Sequence, residues 1–278
     1  MIELFQKNNL QCSKNTTKRY STSFSLGVRL LGKEYRDHIY SIYGFVRYAD
    51  EIVDTFFGFE QDILLKEFRE DTYKAIERGI SLNPILDSFQ RTVNQCKIDG
   101  ELIDAFLDSM EMDLNHEIYD SKLLEKYIYG SAEVVGLMCL HVFYSKEPEK
   151  YNELVYPARK LGEAFQKVNF LRDAQDDFEN KGRVYFKNID FRNFTLEAKT
   201  LIENDIQFDF NEAFKGIVKL KPQARLGVYL AYRYYLNLFE RIKNAPPDEI
   251  LNKRFSVPNH KKGVLMFKAS VRNVMGIF

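Results

Sequence analysis

Apolar residues along this chain recur three and four positions apart, the interval that stacks side chains on one face of an α-helix. Strand-like alternation nowhere persists long enough to compete, and there is no internal repeat or low-complexity tract. Prolines punctuate the pattern, with Pro84, Pro148, Pro222, the pair Pro246 and Pro247, and Pro258 between periodic segments. Pro157 is expected to begin the segment that carries a second acidic cluster, at a first-turn position where proline is tolerated. The reading predicts helices near 16–28, 34–57, 60–78, 84–97, 101–117, 121–144, 148–179, 195–219, 222–244 and 261–276. The fold class is all-α: a single-domain helical bundle over residues 1–278.

Charge breaks this pattern where it should be apolar. Counting about 100° per residue from Ile39, Ile42, Tyr43, Val46, Val53 and Phe57 share one stripe. Asp50 falls inside that stripe, Asp54 and Arg47 lie on its edge, and Glu51 points toward the flank. In the later segment Gln166, Asn169, Asp173 and Asp177 form a polar line beside Leu161, Ala164, Phe165, Val168 and Leu171. Carboxylates stacked four residues apart repel unless a cation sits between them, and an inward carboxylate is costly unless ligated or paired. One such pair is commonplace on a solvated helix, and Asp50 against Arg47 could be a plain structural ion pair. Two copies, each with its own arginine (Arg47 and Arg172), favour a site instead. Hard cations take carboxylate and phosphate oxygens together, so the chemistry indicated is Mg²⁺ around a substrate diphosphate.

Composition narrows the alternatives. Hydrophobic residues make up 45% of the 278, enough for a large core, and no Pro/Gly/Ser-rich linker divides the chain. Forty basic residues balance forty acidic ones, so no nucleic-acid partner is expected. Cys12, Cys96 and Cys139 lack metal-ligand spacing and read as reduced thiols of a cytoplasmic protein. Residues 1–10 lack the apolar core of a signal peptide, and the longest uncharged stretch, 134–145, is too short to span a membrane. The stretch 261–278 is basic and amphipathic, with Val264, Phe267, Val271, Val274 and Phe278 near one face. Core packing is the expectation there, with a weak peripheral membrane contact through Lys261, Lys262, Lys268 and Arg272 as the alternative. Phosphate-loop signatures GxGxxG and GxxxxGK[ST] are absent, and His38, His116, His141 and His260 are too scattered for zinc. Asp113 and His116 have the spacing of a di-iron bundle but occur once; Asp113 reads as a polar helix-end residue or as support for nearby metals.

Several segments resemble, in order, the head-to-head prenyl synthases that include phytoene and squalene synthases. Residues 20–24, YSTSF, look like the family's serine-rich diphosphate segment. Residues 39–54, IYSIYGFVRYADEIVD, are similar to its first aspartate-rich signature. Residues 127–136, YIYGSAEVVG, resemble its tyrosine-containing helix. Residues 161–173, LGEAFQKVNFLRD, with Asp177 and Gly182-Arg183-Val184-Tyr185, match its most specific motif. The resemblance implies an isoprenoid synthase-type bundle around a central cavity. It also implies two or three Mg²⁺ ions, with Mn²⁺ a candidate substitute, on Asp50, Asp54, Asn169, Asp173 and Asp177. It assigns phosphate contacts to Arg47, Gln166, Arg172 and Arg254, with hydroxyls from Tyr20 and Ser21. Tyr127 and Tyr235 would meet phosphate or stabilise a carbocation through their rings. The chain departs from the family pattern at Glu51, often aspartate, at Glu133, often glycine, and at Tyr20, histidine in some relatives.

The implied reaction joins two identical prenyl diphosphates in a monomeric or homodimeric enzyme. Small residues, Gly27 and Val28, on an expected pocket-facing helix favour twenty-carbon geranylgeranyl diphosphate and phytoene, with no NADPH. Dehydrosqualene or squalene synthesis from farnesyl diphosphate is the alternative. A non-catalytic binding or assembly protein of the same fold is the alternative of another class, and it has no reason to retain all five ligands.

Overall fold

Local chemistry sets the helix ends. The computed structural model describes residues 1–114, 121–174 and 194–258, with Lys262, Leu265 and Ala269. Among these residues there is no strand. Helices α1 (Ile2–Tyr20) and α2 (Thr22–Arg29) meet at Ser21, whose extended backbone breaks the run and whose Oγ accepts the Phe24 N–H at 3.2 Å, capping α2. They are followed by α3 (Lys33–Asp54), α4 (Gln61–Arg78), α5 (Pro84–Cys96) and α6 (Gly100–Leu114). A near-continuous run then comprises α7 (Ser121–Ile128), a π-helical turn (Tyr129–Glu133) and α8 (Val134–Tyr144). The long α9 (Pro148–Arg172), α10 (Leu196–Ile217), α11 (Pro222–Lys243) and the short α12 (Pro247–Asn252) complete the described bundle. Proline opens α5, α9, α11 and α12, where its missing N–H costs nothing.

One core joins α2–α6 with α8 and is centred on Phe45, whose ring stacks on Phe89 at 3.9 Å between centroids and lies 5.4 Å from Phe106. A second joins the C-terminal half of α9 to α10 and α11 around Phe210 and Phe239. Helix α9 packs against α8 on one side and α10 on the other. A buried charge network crosses its second junction: the Lys167 ammonium meets Glu163 and Asp209 at 2.7 Å each, with Asp205 beside them. No described helix is long and apolar enough to cross a membrane.

Three expectations need correction. Helix α1 starts at Ile2, not near residue 16, because the face it buries is polar (Asn9, Ser13, Thr16 and Thr17) and leaves no apolar periodicity. Its partners explain how: Asn9 donates to Asp87 at 2.9 Å and Ser13 meets Ser88 at 2.6 Å. Pro157 lies inside α9 rather than at its start, with its ring on the cavity wall. Helix α3 stops at Asp54, so Phe57 leaves the inward stripe and is exposed. The expected helix 261–276 lies almost wholly outside the described residues, and α12 was not anticipated.

Candidate active site

A cavity of about 1050 Å³ opens between α2, α3, α6, α8, α9, α10 and α11. That is the upper end of the usual range for small-molecule sites, roughly 300–1,000 Å³. Its lining changes character along each helix. On α3 the wall runs Ile39, Ile42, Tyr43, Val46, then Arg47, Asp50 and Asp54. On α9 it runs Leu154, Ala158, Leu161, Phe165, then Gln166, Asn169, Arg172 and Asp173. On α6 Met110 precedes Asp113. Since a helix rises 1.5 Å per residue, Leu154 and Asn169 stand about 22 Å apart along α9. Polar groups therefore gather where the C-terminal ends of three helices meet, and the deeper wall is apolar.

At the α3 side, Asp50 is recessed in the wall. Its pKa is pushed up to about 7, by desolvation first and then by the Asp54 and Asp113 carboxylates, with Arg47 opposing. Arg47 does not pair with Asp50. Its guanidinium forms an ion pair with Glu51 one turn on and lies 4.3 Å from the centre of the Tyr20 ring. Glu51 also accepts from Thr55 Oγ1 at 2.8 Å, so it is spent on orienting Arg47 and closing the helix. Asp113 is buried and accepts from the Tyr127 hydroxyl at 3.1 Å to both oxygens. It stands one residue from the end of α6 and faces the cavity beside Asp50. Its i, i+3 partner His116 lies outside the described residues.

At the α9 side, Asp173 is gripped by two arginines: Arg172, its chain neighbour, and Arg254, whose Nε lies 2.9 Å from Oδ1. Asn169 donates to Gln166 Oε1 at 3.4 Å, and Tyr235 stacks on Phe165 at 3.9 Å between ring centroids. Burial, opposed mainly by Arg172, raises the Tyr235 pKa, so this phenol stays neutral. The Oδ1 of Asn169 is buried without a hydrogen-bond partner. Asp177 and residues 182–185 lie outside the described residues. The structure thus brings Tyr20, Ser21, Arg47, Asp50, Asp54, Tyr127, Gln166, Asn169, Arg172, Asp173, Tyr235 and Arg254 to one cavity. Glu133 does not enter it: buried in the π turn, it accepts from Arg159 Nε at 2.5 Å.

Among the described residues no three His, Cys, Asp or Glu side chains cage a metal by themselves. Mg²⁺ rarely asks for that; one or two carboxylates plus substrate phosphates and water satisfy it. An orphan amide oxygen on Asn169 and a carboxylate on Asp50 held out of its ordinary range fit such a cation.

Residues 17–261 match the family described as squalene/phytoene synthase. The chain is 25% identical to a phytoene synthase of Arthrospira platensis, over 96% of this chain and 94% of that one. It is 28% identical to a 4,4'-diapophytoene synthase of Staphylococcus haemolyticus, over 92% and 94%. In fold it is similar to a ligand-bound dehydrosqualene synthase, with a TM-score of 0.80 at 22% identity over 96% of both chains. The match spans most of the chain and takes in all three helix ends that meet at the cavity. The chain belongs to the squalene/phytoene synthase family, prenyltransferases that condense prenyl diphosphates head to head.

Proposed function

We propose that this protein condenses two geranylgeranyl diphosphates head to head to phytoene. The observation that carries the reading is a single cavity with acidic, basic and amide groups at one end and an apolar wall beyond it. The polar end suits diphosphate, and the wall suits a long isoprenoid tail. Asp50, Asp54, Asn169 and Asp173, together with Asp177, would hold Mg²⁺, which when bound neutralises charge on the departing diphosphate. Arg47, Arg172 and Arg254 bind phosphate oxygens, with Gln166 and Ser21 as neutral partners. Release of Asp173 from its two arginines frees all three groups for the ligand. Tyr43, Phe165 and Tyr235 present rings to the cationic carbon, and the apolar wall keeps water from it.

The reaction balances without a redox partner. One allylic carbon–oxygen bond ionises, and the double bond of the second chain attacks the cation. Proton loss closes a cyclopropylcarbinyl diphosphate. A second ionisation, rearrangement and proton loss give the linear hydrocarbon, with no call for NADPH. Gly27 and Val28 line the cavity, which supports the twenty-carbon substrate. Gly27 is also small because α2 crosses α11 there; a Cβ would lie 3.3 Å from the Gly227 carbonyl oxygen.

The second reading, farnesyl diphosphate giving a thirty-carbon product, is favoured by the similarity to a 4,4'-diapophytoene synthase. Purified protein given each diphosphate with Mg²⁺ separates the two by product mass. A forty-carbon hydrocarbon from geranylgeranyl diphosphate is expected; a thirty-carbon product alone would overturn the choice.

A further inference from the structure

Directly after Asp54 the chain makes a turn that holds three phenylalanines out to water. Phe57 and Phe59 are 66% and 72% exposed, Phe56 is exposed as well, and Ile63 on α4 extends the patch. The turn is firmly built. Gln61 donates to the Ile52 and Val53 carbonyls at 2.6 and 3.1 Å, tying off α3. The Phe59 N–H bonds the Phe56 carbonyl at 3.1 Å, and Gly58 takes φ +89°, which a side chain would resist. The Phe56 and Phe59 rings meet edge to face at 6.2 Å. A fixed turn that displays three phenylalanines has a stated physical use in apolar contact with something outside the chain.

Its position names the partner. Phe56 follows Asp54 by two residues, so its Cα lies within about 7 Å of a carboxylate residue at the polar end of the cavity. Basic side chains stand at the same end. Lys18 and Arg19 precede Tyr20, which touches Arg47. Lys253, which pairs with Glu249 at 2.6 Å, precedes Arg254 on Asp173, and the half-buried Lys262 donates to Thr22 at 3.0 Å. Glu60 and Asp62 flank the turn and oppose this positive rim locally. A convex tip of a few side chains falls short of the roughly 800 Å² per partner of a stable protein interface. It does suit insertion of aromatic rings at a headgroup boundary, with cations drawn to anionic lipid.

We propose that the Phe56-Phe57-Gly58-Phe59 turn docks the cavity mouth onto an anionic lipid bilayer, so that hydrocarbon passes between cavity and membrane without crossing water. The hydrocarbon part of this statement rests on the proposed function; the docking itself does not. The test therefore reads binding without substrate. Full-length protein is co-sedimented with vesicles of equal parts phosphatidylcholine and phosphatidylglycerol, beside a Phe57→Ser/Phe59→Ser variant and a Lys18→Glu/Arg19→Glu variant. Thermal melting confirms that each is folded, and turnover is read separately in detergent micelles.

The wild type is expected to sediment, and to sediment less as salt rises or phosphatidylglycerol is left out. The phenylalanine variant should partition roughly tenfold more weakly, and the charge-reversed variant should bind the anionic vesicles more weakly than the wild type at low salt. Detergent turnover of the phenylalanine variant should match the wild type, because neither ring lines the cavity. Equal sedimentation of wild type and phenylalanine variant would overturn the proposal, as would wild type left in the supernatant. A concentration-dependent dimer lost in that variant would also overturn it, since a second copy would then cover the turn.

Discussion

Asp50 carries the physics of the site at the scale of one residue. Burial and the Asp54 and Asp113 carboxylates all disfavour its charge, and Arg47, the obvious counter-ion, is committed to Glu51 and Tyr20. Asp50→Asn should therefore leave the melting temperature of the ligand-free protein unchanged or raised, by relief of repulsion. Turnover should fall by about 100-fold or more, the scale of losing a key electrostatic contact. Asp173→Asn should lose as much activity. Melting curves alongside initial rates check both, and unchanged turnover in either would contradict the assignment. Asp113→Asn should raise the Mg²⁺ concentration needed for half-maximal rate by about 10- to 100-fold. A Mg²⁺ titration of the rate checks it; an unaltered midpoint would leave Asp113 a structural acid. The inward placement of Asp50 was legible from its phase on α3. For Asp113 the sequence left two readings, a helix-end acid or support for nearby metals, because one acid near a helix end has no periodic signal until α6 is packed beside α3.

At the scale of elements, apolar periodicity found the helices that bury apolar faces and missed the one that does not. Helix α1 docks through serine, threonine and asparagine, whose partners on α5 are set only by the tertiary fold. Phe57 shows the opposite error: the stripe of α3 continues in phase to it, while the chain turns after Asp54, with Gln61 closing the helix. The junction of α9 and α10 was equally hidden. Lys160, Glu163 and Lys167 have the spacing of a solvated face, yet Lys167 and Asp209 are buried against each other. The surrounding carboxylates outweigh desolvation and raise the Lys167 pKa. Lys167→Met should leave Asp209 and Glu163 with Lys160 as their remaining cation and destabilise the fold by about 1–3 kcal/mol. Urea unfolding measures this; a loss below about 1 kcal/mol would mean that the network contributes little. Because α9 carries Gln166, Asn169 and Asp173 on its other face, weakened activity is expected to accompany the loss.

At the scale of the molecule, two acidic helix ends from distant parts of the sequence converge on one cavity, which no local pattern could state. The sequence held both clusters and their inward phase. The axial change from apolar to polar lining, and the capture of Asp173 by Arg172 and Arg254, exist only once α3, α6 and α9 stand side by side. If these ends act as one Mg²⁺–diphosphate site, metal and diphosphate bind there together, and thermal melting reads that without turnover. The melting temperature is measured with Mg²⁺, with a non-ionisable prenyl diphosphate analogue, and with both. The pair together should stabilise the protein beyond the sum of each alone, and with Mg²⁺ present the analogue at a hundred times its dissociation constant should contribute roughly 2.7 kcal/mol. Asp50→Asn and Asp173→Asn should each abolish the excess. Purely additive shifts, no shift at saturation, or an excess that survives both substitutions would contradict it, and no shift at all would favour a non-catalytic binding protein of this fold.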